Sequence, residues 1–168
     1  MIKEKTTNPV PCRNYSNAQL SLLVILRVVI GWHFLYEGFS KIINPNWSST
    51  GFLLDSKGLF AGMFQSMAGN PDIVKVIDIM NAWGLTAIGL GLIAGLFTQV
   101  ATVAGMVILA FYYISHPPLI NAEYAIPSEG SYLFINKNLI EFFALWVLYI
   151  FPSGNRIGLD RLIFKNKN

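Results

Sequence analysis

The chain has 168 residues, of which 54% are hydrophobic and 12% charged, with a net charge of +3. An average soluble domain carries about 25% charged residues, and here the apolar runs approach the roughly 20 residues that cross a bilayer core. An ordinary soluble domain is excluded on that ground, and a small positive balance gathered at the two ends reads as topology rather than nucleic-acid binding.

Residues 1–19 are polar, with Lys3, Lys5 and Arg13, and read as an N-terminal tail. Cys12 is the lone cysteine, so no internal disulfide and no CxxC redox pair is available, and thiol chemistry would come from a partner. The first apolar run, 20–43, is LSLLVILRVVIGWHFLYEGFSKII. It is too long for a signal peptide, carries Arg27 and Glu37, and is not followed by a small-residue cleavage site. Within it His33, Glu37 and Lys41 recur every fourth residue, which places them on one helix face. A charge at the bilayer centre costs about 2.5–3.5 kcal/mol on insertion scales, so such residues face a bundle interior and mark a working site. Asn44-Pro45 ends the helix.

Leu59, Phe60, Met63, Phe64 and Met67 follow at helical spacing and predict a short amphipathic helix in the first loop, lying on the membrane or capping the bundle. Asn70-Pro71-Asp72 is a helix start, with a capping side chain, a proline in the first turn and an acid at the positive end of the dipole. The second span covers about 72–97, and its Ala87, Gly91 and Gly95 form a small-xxx-small row for close packing. Thr98-Gln99 is the polar break before a third span, about 100–116, so these two spans form a tight hairpin. Ala101 and Gly105 share a small face, and His116-Pro117-Pro118 stops the helix. A polar loop leads to a fourth span, about 137–152, which carries Glu141. Residues 153–168 read as a basic tail.

The expected fold is therefore all-α, an integral membrane four-helix bundle over 20–152 with one short amphipathic helix in the first outer loop. The Lys and Arg of both tails place the two termini in the cytoplasm and the longer loops outside. This topology brings Glu37, Lys41, Asp78, Asn81 and Glu141 to the outer half of the bundle, with His33 deeper and Arg27 deeper still. An ordinary Glu37–Lys41 pair, or Glu141 neutralising Lys41 or Lys137, is the purely structural alternative.

Carboxylates and an imidazole beside aromatic rings suit a lipid-soluble quinone, whose carbonyl oxygens exchange protons as it is reduced or oxidised. On this reading Glu37, His33 and Glu141 carry the proton chemistry, while Lys41, Trp83, Arg27, His116 and Tyr113 hold the ligand. Haem bound by His33 and His116 is a weaker option, since the two need not share a depth. No His/Cys cluster has metal-ligand spacing, and no phosphate-binding glycine loop or nucleophile elbow is present.

The ordered series LRVVIGWHFLYEGFSKI, WGL, IGLGLIAGLFT, YYISHPPL, NKNLIE and RIGLDRL resembles the DoxX/DoxD family from about Leu20 to Leu162. The resemblance implies a small four-helix protein of the bacterial cytoplasmic (inner) membrane, acting as a membrane subunit of a redox complex. In that family DoxD is described as the membrane subunit of a thiosulfate:quinone oxidoreductase, paired with a DoxA subunit. The positions that match are Arg27, Glu37, Gly38, Lys41, Trp83, Gly84 and Glu141. A partner oxidoreductase subunit is then expected to deliver electrons, with a homo-oligomer as a further option. Two other readings stand beside this one: a non-enzymatic scaffold recruiting a partner, and, less favoured, a solute transporter, for which no inverted repeat or broken helix is visible.

Overall fold

A computed structural model describes residues 15–118, 124 and 133–163. Helix α1, Asn17–Ile43, begins at a capping box. Ser16 Oγ accepts from the Gln19 backbone N–H at 3.2 Å while Gln19 Oε1 accepts from the Ser16 N–H at 3.0 Å. Helices α2, Thr50–Leu54, and α3, Ala61–Ala68, fill the first loop. The expected amphipathic segment is thus α3, preceded by an extra turn of helix. Phe64 is buried with Leu53 and Val74 in a small second core, so the loop caps the start of the next helix. Leu59 stays exposed.

Helix α4, Pro71–Ala94, starts as its sequence dictates: Asn70 Oδ1 accepts from the N–H groups of Asp72 at 3.0 Å and Ile73 at 3.4 Å. It ends three residues before the expected boundary because Gly95 takes a left-handed conformation, φ 66°. Phe97, φ 47°, completes the turn into α5, Thr98–Ser115. Asn136 caps α6, Lys137–Ile150, by accepting from the Leu139 N–H at 3.0 Å. A last turn, α7, covers Asp160–Ile163.

Helices α1, α4 and α5 are each long and apolar enough to cross a membrane. Helix α6 has 14 residues, about 21 Å at 1.5 Å per residue, shorter than a bilayer core of about 30 Å. It lies against α5 and completes a four-helix bundle whose core includes Phe34, Ile88, Leu92, Leu109, Leu145 and Leu148. The outward faces are apolar, with Leu22, Trp32, Met80, Trp83, Val100 and Ile140 exposed. A soluble monomer rarely leaves so continuous an apolar surface open. In lipid it is the expected exterior, and the chain is a multi-pass membrane protein.

The tightest seam joins α1 to α4, and it does not use the row Ala87, Gly91, Gly95. Ala87 is exposed and Gly95 belongs to the turn. Backbones instead meet at Gly38 and Gly89: a Cβ on Gly38 would lie 2.5 Å from the Thr86 nitrogen, and one on Gly89 would strike the Leu35 backbone. The small face of α5 does pack as expected, with Gly105 against Leu145 and Phe34.

Residues 153–163, read from the sequence as the start of a basic tail, fold back under the α4–α5 turn. Asp160 accepts from the backbone N–H groups of Phe97 at 2.6 Å and Thr98 at 3.0 Å, and so caps α5. Its own N–H and that of Leu159 donate to the Gly95 and Ala94 carbonyls at 2.8 and 3.1 Å. Residues 1–14 and most of the α5–α6 loop lie outside the described residues.

Candidate functional site

Helix α1 carries the site because its polar residues repeat every turn. His33, Glu37 and Lys41 follow one another at intervals of about 6 Å along the axis. At the first step α6 contributes the partner: His33 Nδ1 and Glu141 Oε1 are 2.5 Å apart. The second carboxylate oxygen, Oε2, is buried and has no hydrogen-bond partner among the described residues. His33 keeps 33% of its side chain exposed and Glu141 13%. A histidine whose Nδ1 is committed to a carboxylate has a fixed ring orientation, which leaves Nε2 for a second partner.

At the second and third steps the polar groups bind one another. Glu37 Oε2 lies 3.6 Å from Lys41 Nζ. Lys41 donates to Asn81 Oδ1 on α4 at 3.0 Å, and Asn81 Nδ2 donates to the Tyr112 hydroxyl on α5 at 2.6 Å. The Lys41 ammonium also lies over the rings of Trp47, at 5.3 Å, and Tyr112, at 5.8 Å. Asp78 stands nearby on α4 and accepts from the Ser49 backbone N–H at 2.8 Å, pinning the first loop.

The site thus has two halves. The Lys41–Asn81–Tyr112 chain is closed on itself and ties α1, α4 and α5 together. The His33–Glu141 pair bridges α1 and α6 and retains an unused carboxylate oxygen and a ring nitrogen. Such a pair can accept a proton from, or return one to, an oxygen placed against it.

Four residues expected near a ligand sit elsewhere. Arg27 is 2% exposed and serves the opposite end of the bundle, donating to the Ile157 carbonyl at 2.9 Å and to Ser153 Oγ at 3.4 Å. Trp83 is 61% exposed and faces outward from α4. Tyr113 donates its hydroxyl to the Phe134 carbonyl at 2.7 Å and ties α5 to the segment before α6. His116 belongs to a separate loop cluster with Phe52 and Asp55, so the two histidines occupy different places. Glu141 pairs with His33, while Lys41 reaches Glu37 and Asn81.

A family model described as DoxX matches residues 22–117, more than half of the chain. The chain belongs to the DoxX family. In this DoxX protein the matched region runs from α1 to the end of α5 and contains His33, Glu37, Lys41, Asn81 and Tyr112. Glu141 and the folded-back C-terminal segment lie beyond it. Comparison with curated proteins and with solved structures gave no match.

Sequence reasoning missed three things about this DoxX protein. It placed Asn81 at the right depth without its role as the link between Lys41 and Tyr112. It passed over Asp160 and Ser153, which serve Arg27 and the α4–α5 turn. It left the partner of His33 open. The available signal was an imidazole in a span with no partner at i±4 except Glu37.

Proposed function

We propose that this DoxX protein is the quinone-reactive membrane subunit of a redox complex, with the His33–Glu141 pair as its proton-exchanging site. The observation that carries the reading is the buried Glu141 carboxylate with one oxygen on His33 Nδ1 and the other unpartnered. A quinone, when bound, accepts two electrons and two protons to become the quinol, or releases them in reverse. The chain's own residues supply the proton side. His33 Nε2 donates to a carbonyl oxygen when the ring is protonated, or accepts from a hydroxyl when it is not. Glu141 orients the ring and holds the balancing charge from its buried position. Glu37 and Lys41, one and two turns along α1, set the local field. Electrons come from a partner oxidoreductase subunit, because no redox-active pair is available within the sequence. The exposed flank of His33 favours a ligand that arrives through lipid.

A scaffold role is the second reading. It is favoured by the Lys41–Asn81–Tyr112 chain, whose groups satisfy one another and so work as a tether. The two readings separate in one experiment. Purified protein is extracted for bound lipophilic molecules, then titrated with a short-chain quinone, for wild type and His33→Gln. The quinone reading expects extractable quinone and saturable binding that weakens in the variant while the melting temperature holds. Absence of both extractable and saturable quinone contradicts it, and a variant altered only in stability supports the scaffold.

A further inference from the structure

The segment after α6 sorts its residues into two sets. One set is spent on the bundle. Asp160 is 3% exposed and caps α5, and Ser153 is buried beside Arg27. Gly158 packs so closely that a Cβ on it would lie 2.8 Å from the Gly95 carbonyl oxygen. The Arg27 guanidinium holds the backbone in place by donating to the Ile157 carbonyl at 2.9 Å. The other set, Arg156, Ile157, Leu159, Arg161, Leu162 and Ile163, is exposed. From 156 to 163 every exposed residue is therefore either strongly apolar or cationic.

The depth of this face is fixed by its bonds. The Leu159 and Asp160 N–H groups donate to the Ala94 and Gly95 carbonyls at the end of α4, and the Asp160 carboxylate accepts from Phe97 and Thr98 at the start of α5. Both helices are long and apolar enough to cross a membrane. The turn between them therefore lies at a bilayer boundary, and the segment lies there with it. The charge of the face has one sign. Residues 153–168 contain Arg156, Arg161, Lys165 and Lys167 against one acid, Asp160, and that acid is turned inward. Aliphatic side chains beside guanidinium groups at this depth match the headgroup layer. The first reach the acyl boundary, and the second pair with phosphate oxygens.

We propose that residues 156–163 form a docking surface for anionic phospholipid headgroups in the leaflet at the α4–α5 turn. Arg156 and Arg161 pair with the phosphates, while Ile157, Leu159, Leu162 and Ile163 enter the acyl boundary. Phe97, exposed on the same turn, continues the apolar part. An anionic leaflet complements a face whose outward charges are all positive. The chain's own residues 1–14 enter at this end too, since Tyr15 meets Phe151 edge-on at 6.5 Å. Their Lys3, Lys5 and Arg13 stand against Glu4, so they carry the same sign of charge as the face and do not complement it. A soluble acidic partner would match the arginines but not apolar residues held at the bilayer boundary. The surface lies at the opposite end of the bundle from Lys41 and does not depend on the quinone reading.

The test uses the full chain in vesicles of mixed phosphatidylcholine and phosphatidylglycerol. Electron paramagnetic resonance of spin-labelled lipids measures the preference of the protein for phosphatidylglycerol over phosphatidylcholine. A preference of at least about threefold is expected, smaller in about 0.5 M salt, since each arginine at an anionic surface favours association about fivefold. The double variant Arg156→Gln, Arg161→Gln should lose most of this preference, and Arg156→Lys, Arg161→Lys should keep it. Lys75→Gln, at the other end of α4, should change it by less than about twofold. A nitroxide attached to Leu162→Cys in a Cys12→Ser chain reads depth, and its collisions with oxygen are expected to exceed those with a water-soluble nickel chelate. Equal association of the two lipids, or a preference that the double glutamine variant keeps, overturns the proposal. A nitroxide open to the chelate leaves the face to a soluble partner, and one closed to both probes leaves it to contact with protein; either overturns it as well. If the double glutamine variant does not fold, the depth of the nitroxide decides.

Discussion

His33 takes its chemistry from the atom that its Nδ1 touches. Glu141→Gln preserves the shape of the pair, because an amide oxygen still accepts from Nδ1–H, but removes the charge that stabilises a protonated ring. Quinone affinity is expected to change little while partner-driven quinone turnover falls about a hundredfold, within the usual range for a positioned acid or base. Steady-state kinetics checks this, and unchanged turnover counts against a proton role for the pair. The Lys41 chain behaves differently. Tyr112→Phe removes the hydroxyl that accepts from Asn81 at 2.6 Å, a loss of about 1 kcal/mol. The melting temperature in detergent should drop by about 2–4 °C with quinone binding unchanged. A loss of binding with no loss of stability would move the ligand site from His33 to Tyr112.

Between elements, the decisive contacts are those that let backbones approach. Gly38→Ala puts a methyl group 2.5 Å from Thr86 Oγ1 and 2.8 Å from the Ala82 carbonyl. Helices α1 and α4 must separate, at a cost of about 1–3 kcal/mol. Gly84→Ala, on the side of α4 that faces α5, meets only Ile108 Cδ1 at 3.9 Å and should be neutral within about 0.5 kcal/mol. Thermal melts of the two variants test the seam, and equal effects would contradict it. Asp160→Ala leaves the Phe97 and Thr98 N–H groups uncapped and should cost about 1–2 kcal/mol, visible in the same assay. The start of α4 was legible in the sequence, since Asn70 caps it through neighbours two and three residues away. The seam was not. Ala87, Gly91 and Gly95 satisfy the small-residue spacing as well as any row does, and only the facing helix decides that Gly38 and Gly89 meet. Asp160 caps a helix 62 residues upstream, so no local pattern announced it.

For the whole molecule, four helices and a capped loop were readable because apolar runs and their breaks are local facts. The gathering of Lys41 and Asn81 followed from depth, which alternating helices preserve. The pairing of His33 with Glu141 spans 108 residues and depends on how α6 rotates against α1, which no spacing rule sets. Orientation in the membrane rests on the basic tails. Cys12, the one cysteine of the chain, should therefore react with an impermeant thiol reagent only after the cytoplasmic face is opened, and labelling from outside would invert the topology. The central claim concerns where a lipid-soluble ring meets the protein. The most direct measurement is photolabelling of native membranes with a photoreactive quinone, followed by mapping of the modified peptides. This account predicts label on α1 around His33 and on α6 around Glu141, displaced by excess quinone and lost in His33→Gln. Label spread evenly over the lipid-facing helices, or confined to the Trp83 face of α4, would contradict it.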